Sequence, residues 1–229
     1  MATLYIVATP IGNLEDITLR ALRILKEADV ILCEDTRVTQ KLLKHYGIAD
    51  KQLSTWNEER SSVSTGKVFA WLREGKNIAL VSDSGTPSIS DPGGRLVAFV
   101  KQEFGNEVAI VAIPGPSALT GALSVSGLPA SDFLFLGFLP HKKGRETLFK
   151  EIEASQRTVV LYESPHRILK SLTSLEKILG SERVVVVARE LTKVFEELVS
   201  GTPGEVLAYF TAHADKVRGE FVVMVSGKK

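Results

Sequence analysis

The chain has 229 residues, 44% hydrophobic and 24% charged. That is the balance of a folded globular protein and excludes a disordered, collagenous or coiled-coil chain. Lys and Arg total 28 against 27 Asp and Glu, a net charge of +1 with a pI near 7.8. Free-standing nucleic-acid-binding domains are usually far more basic, so any such role must rest on local patches or on a structured partner. One cysteine, Cys33, rules out a disulfide framework and a cysteine-based zinc motif. The four histidines, His45, His141, His166 and His213, form no HxH or HExxH pair, so no metal is expected.

The N-terminus, MATLYIVATPIGNLED, has no basic residue before its apolar stretch. It reads as a first buried strand, TLYIVAT from Thr3, rather than a signal peptide. DITLRALRILKEA from Asp16 predicts a helix, with Ile17, Ala21, Ile24, Leu25 and Ala28 at helical spacing. VILCE from Val30 predicts a strand, and TQKLLKHYG a helix ended by Gly47. NIALVS from Asn77 and VAIVAI from Val108 are further strands, separated by the helix GGRLVAFVKQEF. FLFLGF from Phe133, the helix RETLFKEIEA, RTVVLYE from Arg157 and the helix RILKSLTSLEKIL follow. RVVVVARE, EVLAYFTAH and FVVMVSG complete the chain.

The uncharged segment from Val108 to Ser131 is long enough to suggest a membrane span. Pro114, Gly115, Pro116, Gly121, Gly127 and Pro129 interrupt it, and a lipid-facing helix tolerates such breaks poorly. It reads instead as strand, tight loop, helix and loop buried in protein, with no membrane contact and a cytoplasmic location. Near-continuous apolar strands alternating with helices predict an α/β fold with mostly parallel sheets covered on both faces. The break at PGPSALTGAL divides the strands into two comparable sets, giving domains at 1–116 and 117–229. Ligands of open parallel sheets lie beyond the carboxyl ends of the strands, so the loops there are the place to look for chemistry.

The loop after the first strand, Ala8 to Leu14, holds one glycine. It is neither a G-x-G-x-x-G fingerprint nor a Walker-type phosphate loop. The stretch Ser82 to Gly94, SDSGTPSISDPGG, is thirteen residues of turn-formers with Ile89 as its only aliphatic residue. That exceeds the roughly two to six residues usual for such a connection. Its glycines allow close backbone approach and its hydroxyl and carboxyl groups offer hydrogen bonds to a polar ligand. The loop at Pro114-Gly115-Pro116 leads into a helix whose expected N-cap is Ser117, where free N–H groups suit an anion. Three further strand ends carry charge: Cys33-Glu34-Asp35-Thr36-Arg37, Glu163-Ser164-Pro165-His166-Arg167, and Leu191-Thr192-Lys193 with Glu196 and Glu197 beyond. Cys33 reads as a buried thiol, not a nucleophile.

Seven motifs occur in order: VATPIGNLEDIT, CEDTR, LVSDSGTPSISDPG, PGPSALTGAL, FLGFLP, ESPHR and ARELTKVFEE. Together they closely resemble the ribosomal RNA small-subunit methyltransferase I family of the tetrapyrrole methylase superfamily. The resemblance covers almost the whole chain. It implies two α/β domains, a homodimer, and S-adenosylmethionine bound in the cleft between the domains. It also implies methyl transfer to the 2′-hydroxyl of a cytidine in the decoding region of 16S ribosomal RNA within the small ribosomal subunit. Carried over to this sequence, the cofactor is expected against Pro10, Asp83, Gly85, Thr86, Ile89, Ser117 and Ala118. Its adenine is expected against Leu161, Tyr162, Leu191 and Phe221 of the second domain. Asn13, Glu163, His166, Arg167 and Lys193 are assigned to the substrate, with the first domain on the RNA side. Tetrapyrrole enzymes usually carry Gly-x-Gly-Pro-Gly in the first loop. Here Thr9-Pro10-Ile11-Gly12-Asn13 stands there, which favours the RNA-modifying branch. Relatives often continue past the last strand with a small helical extension, and this sequence ends at Lys229.

Methyl transfer from a sulfonium needs oxygen, carbon and sulfur held in line. A ribose hydroxyl is a weak acid, so a base or a nearby cation helps. Asp35, Asp83, Glu163 and Glu190 are candidate bases, and Arg37 and Lys193 candidate charge stabilisers. The CEDTR segment turns the preference to Asp35 and Arg37. Basic residues cluster locally at Arg37, Lys41 and Lys44, and again at His141, Lys142, Lys143 and Arg145. Two other readings stand beside this one: a superfamily enzyme acting on a tetrapyrrole or a modified protein residue, and a catalytically silent RNA-binding module.

Overall fold

A computed structural model describes residues 1–56 and 61–228. The chain divides into two compact units, Met1–Ser117 and Ala118–Lys229. The first unit holds strands β1 (Thr3–Val7), β2 (Val30–Cys33), β3 (Gln52–Thr55), β4 (Ile78–Val81) and β5 (Ala109–Ile113). Helices α1 (Leu19–Glu27), α2 (Thr36–His45), α3 (Ser61–Arg73) and α4 (Gly94–Phe104) connect them. The strands form one sheet in the order β3-β2-β4-β1-β5, parallel at every pairing.

β2 and β4 are buried at every residue, which is why they read as unbroken apolar runs. Ala21, Ile24 and Leu25 of α1 and Leu43 of α2 pack on one face with Ile31, Ala79 and Val81. Val68 and Leu72 of α3 and Leu96, Val100 and Phe104 of α4 pack on the other with Leu32, Ile78 and Leu80. α2 begins at Thr36, three residues before the expected start, because the Asp35 side chain accepts a hydrogen bond from Arg37 N and caps it.

The second unit carries α5 (Ala118–Ser126), β6 (Phe133–Phe138), α6 (Arg145–Ala154), β7 (Thr158–Glu163), α7 (Ile168–Leu179), β8 (Val185–Arg189), β9 (Glu197–Gly201), α8 (Pro203–Ala212) and β10 (Phe221–Val225). Its sheet runs β6-β7-β10-β8-β9. Only β6 and β7 pair in parallel; β10 lies antiparallel to both β7 and β8, and β9 folds back antiparallel on β8. The expectation of parallel pairing thus holds throughout the first sheet and only at one edge of the second. A central antiparallel strand covered on both faces is as uniformly apolar as a parallel one, so composition does not distinguish them. EVLAYFTAH lies in α8, started by a capping box between Thr202 and Glu205. α6, α7 and α8 cover one face of this sheet, and α5 the other. No helix among the described residues is long and apolar enough to cross a membrane.

Candidate active site

The carboxyl ends of β1, β4 and β5 are neighbours in the first sheet, and their loops are stitched together. Thr9 N donates to Gly85 O at 2.9 Å and Gly85 N donates back to Thr9 O at 3.1 Å. The Thr9 hydroxyl donates to Ser82 O, and the Ser82 hydroxyl to Gly85 O, each at 3.0 Å. Thr86 Oγ1 donates to Pro116 O at 3.2 Å, and Ala8 N to Ile113 O at 3.2 Å. Gly85 sits at φ 82°, where a Cβ would lie 3.3 Å from Ile11 Cγ2. Pro10, next to Thr9, is buried, while Ile89 is 41% exposed. Ser88 and Ser90 also adopt positive φ, at 73° and 63°, a strain that accumulates in ligand-binding loops. Ser88 Oγ is buried without a hydrogen-bond partner. The structure therefore brings Pro10, Gly85 and Thr86 together, with Ile89 on the same loop and Ser117 and Ala118 just beyond Pro116.

β2 and β4 are adjacent, yet the chain leaves β2 toward β3 and leaves β4 in the opposite direction toward β5. Such a divergence opens a crevice at the carboxyl edge. Carboxylates occupy it. Asp35 N donates to Asp83 Oδ1 at 3.2 Å, and Asp83 N to Glu34 Oε1 at 3.4 Å. Burial pushes the Glu34 and Asp83 carboxyls upward. Asp91, on the same long loop, is raised to about 7, by burial first and then by the charges of Glu34 and Asp83. Nothing in the spacing of SISDPGG signalled this; only the folded loop shows which of its carboxyls is desolvated.

Asp35 behaves oppositely. Arg37 Nη2 and Nε reach its two oxygens at 2.6 and 3.0 Å, and these bonds hold its carboxyl at about 2. A carboxylate so committed is a weak base. Asp35 caps α2 and orients Arg37, whose side chain is 85% exposed. Cys33 is buried, and burial raises its thiol. Asn13 is exposed and accepts a hydrogen bond from Glu15 N at 3.0 Å.

In the second unit, β7 and β8 end at the same edge, because Glu163 and Arg189 both lie opposite Phe221 in β10. Glu163, expected at the substrate, is enclosed by its own neighbours. Its side chain is fully buried, paired with Arg167 Nε at 2.8 Å and approached by Arg145 Nη1 at 4.0 Å. Ser171 donates to its other oxygen, and Arg167 Nη1 also donates to Leu139 O at 2.6 Å. His166 beside it stays exposed.

Leu161 and Phe221, expected against the adenine, have their side chains in the apolar core. They are 1% and 2% exposed and pack under α6, α7 and α8. Tyr162 and Leu191 lie on the opposite face with α5, because successive strand residues alternate sides. Lys193 Nζ bridges Glu190 and Glu220, 2.9 Å from each. Among the described residues no group of three or more His, Cys, Asp or Glu is arranged to hold a metal ion.

The sequence model of the family described as Tetrapyrrole (Corrin/Porphyrin) Methylases matches residues 3–207, and the chain belongs to that family. Its fold is that of the crystal structures of the methyltransferase CobJ and of cobalt precorrin-4 methyltransferase. The TM-scores are 0.72 and 0.70 at 18% and 20% identity, covering 99% and 98% of this chain and 95% and 94% of the other. Closer in sequence is the ribosomal RNA small subunit methyltransferase I of Thermotoga maritima, 48% identical over the full length of both chains. The protein of the same name from Escherichia coli O157:H7 is 47% identical over 99% of this chain and 78% of its own. The resemblance carried by the seven motifs is borne out by these relatives.

Proposed function

We propose that the protein transfers a methyl group from S-adenosylmethionine to the 2′-oxygen of a cytidine ribose in the decoding region of 16S ribosomal RNA. The observation that carries this reading is the full-length 48% identity to a ribosomal RNA small subunit methyltransferase I. The first loop adds to it: Thr9-Pro10-Ile11-Gly12-Asn13 lacks the glycines of the tetrapyrrole enzymes.

The stitched loops suit such a cofactor. Gly85 keeps the backbone approachable and Ile89 offers apolar surface. Asp83, Thr86, Ser117 and Ala118 are assigned to the same ligand, and Tyr162 and Leu191 to its adenine. When bound, S-adenosylmethionine supplies an activated methyl on a neutral leaving group. The residues of the chain then align the hydroxyl and manage its proton. Arg37, held at a fixed angle by Asp35, stabilises negative charge developing on the ribose oxygen. Asp91 is suited to take the proton from that 2′-hydroxyl, because a carboxyl near neutrality is a far better base than an ordinary one. Asn13, His166, Arg167 and Lys193 are assigned to RNA.

The same reading gives a homodimer acting in the cytoplasm on assembled small subunits, whose shape offsets the modest charge of +1. The test is a mass-spectrometric map of ribose methylation after incubating small subunits with protein and methyl donor. One new 2′-O-methylcytidine in 16S RNA is expected. A methyl label on a base, a protein or a porphyrinoid would overturn the reading.

A further inference from the structure

A second concave surface of the first unit lies beside α2. It is a groove of about 1050 Å³ along α2 and the turn that follows it. Arg37, Lys41 and Lys44 recur at i, i+4 and i+7, so they form one stripe on the helix. At about 1.5 Å per residue the stripe spans roughly 10 Å. Lys51 joins it from the start of β3. Leu43 and Ile48 form a floor whose side chains are anchored in the core, so the groove is preformed.

The charges in this groove do not cancel. Asp35 is consumed by Arg37. Lys51 Nζ donates to Ala28 O at 2.9 Å and to Lys26 O, which are neutral carbonyls at the end of α1, so its charge has no counterion there. Lys41 and Lys44 are exposed and enter no ion pair among the described residues. Elsewhere in this unit Arg23 pairs with Glu27, Arg73 with Glu103 and Lys76 with Glu74. Asp50 is the one remaining anion of the lining among the described residues. Among the described residues no aromatic side chain lines the groove, so it offers nothing there on which a base could stack. What fits is a run of backbone phosphates read by charge alone. One end of the stripe is Arg37, beside the crevice at β2 and β4.

We infer that this groove binds the phosphate backbone of an RNA segment flanking the nucleotide to be methylated, with Lys41, Lys44 and Lys51 as its phosphate contacts. The inference rests on the proposed function for what lies at the Arg37 end, but the binding itself is tested independently of methyl transfer.

The experiment measures binding of a single-stranded RNA oligonucleotide to the full-length protein across a salt series. It compares the wild type, Lys41→Ala/Lys44→Ala, and a control, Lys101→Ala/Lys150→Ala, on α4 and α6. Each phosphate contact on a single strand contributes about 0.7 to the log–log salt slope. The groove variant should therefore lose about 1.4 of that slope, a weakening of roughly 25-fold at 0.1 M salt, while the control keeps the wild-type slope. In methyl transfer to small subunits the groove variant should raise KM and leave kcat within about twofold, since binding that is equal in ground and transition states shows in KM alone. An unchanged slope in the groove variant overturns the inference, as does an equal loss in the control. Weaker binding to the assembled subunit with unchanged binding to naked RNA also overturns it, and assigns the groove to an acidic protein surface. A wild type that binds RNA through these lysines yet methylates nothing brings down the proposed function and supports the groove.

Discussion

Thr9 and Gly85 exchange both of their main-chain hydrogen bonds, and this two-residue bridge fastens the loop after β1 to the long loop after β4. It ties down a segment composed almost wholly of turn-formers. The bridge requires Gly85 at φ 82°. Gly85→Ala is expected to cost about 1–2 kcal/mol, the penalty of a left-handed conformation for a residue with a Cβ. Urea unfolding reads this directly, and calorimetry should show weakened S-adenosylmethionine binding as the loop shifts. A variant with both values at wild-type level would mean that the bridge holds nothing essential.

Glu163 is expected to matter for folding, not for substrate affinity. Glu163→Ala leaves Arg145 and Arg167 without their shared carboxylate, and removing one partner of a buried pair costs about 3–5 kcal/mol. The same variant, assayed well below its unfolding temperature, should keep the wild-type KM for small subunits. A raised KM without lost stability would return Glu163 to the substrate.

Asp91 gives a pH signature with a definite sign. Its carboxyl is raised from 3.8 to about 7 in the folded chain. The folded state thus holds a proton that the unfolded state releases between those values. Stability from this group is fully present below about pH 4 and is lost as pH rises through 7. Asp91→Asn, which imitates the protonated form, should unfold at the wild-type temperature near pH 4 and at a higher one at pH 8. It should also lose methyl transfer at every pH. Parallel melting curves across that range would show the carboxyl to be ordinary.

Arg37→Ala should lower methyl transfer by about 100-fold, the scale of losing one donor to a developing oxyanion. Cofactor affinity should stay at the wild-type value, because Arg37 points outward at 85% exposure and bonds only to Asp35 among the described carboxylates. Loss of cofactor binding in this variant would place Arg37 in the cofactor site instead.

The buried parallel strands were legible because β2 and β4 are apolar at every position. The edge strands were not. QLST and ELVSG are half exposed, and neither has an apolar run to announce it. The direction of β10 was equally hidden, since FVVMV would suit either pairing. At the site, the length and the turn-forming, polar composition of Ser82–Gly94 drew attention to it, and the stitched junction lies there. Period-two alternation puts Leu161 and Tyr162 on opposite faces, but the sequence does not say which face the helices of the second unit cover. The burial that raises Asp91 and the burial that locks Glu163 are both products of distant segments packing, and no local pattern encodes them.

The interior position of β1, between β4 and β5, has a consequence for how the chain is made. Its first partner, β4, begins at Ile78 and its second, β5, at Ala109. A chain emerging from its N-terminus therefore leaves both edges of β1 unpaired until β4 is made, and one edge open until β5 follows near the end of the first unit. Neither α1 nor α2 can complete its packing before then, because Val7, Ala79 and Val81 belong to the surface they cover. The closing of long loops before contacts repay it makes such a unit slow to fold, so β1 and its loop set the moment at which the first unit becomes a protein rather than a nascent chain.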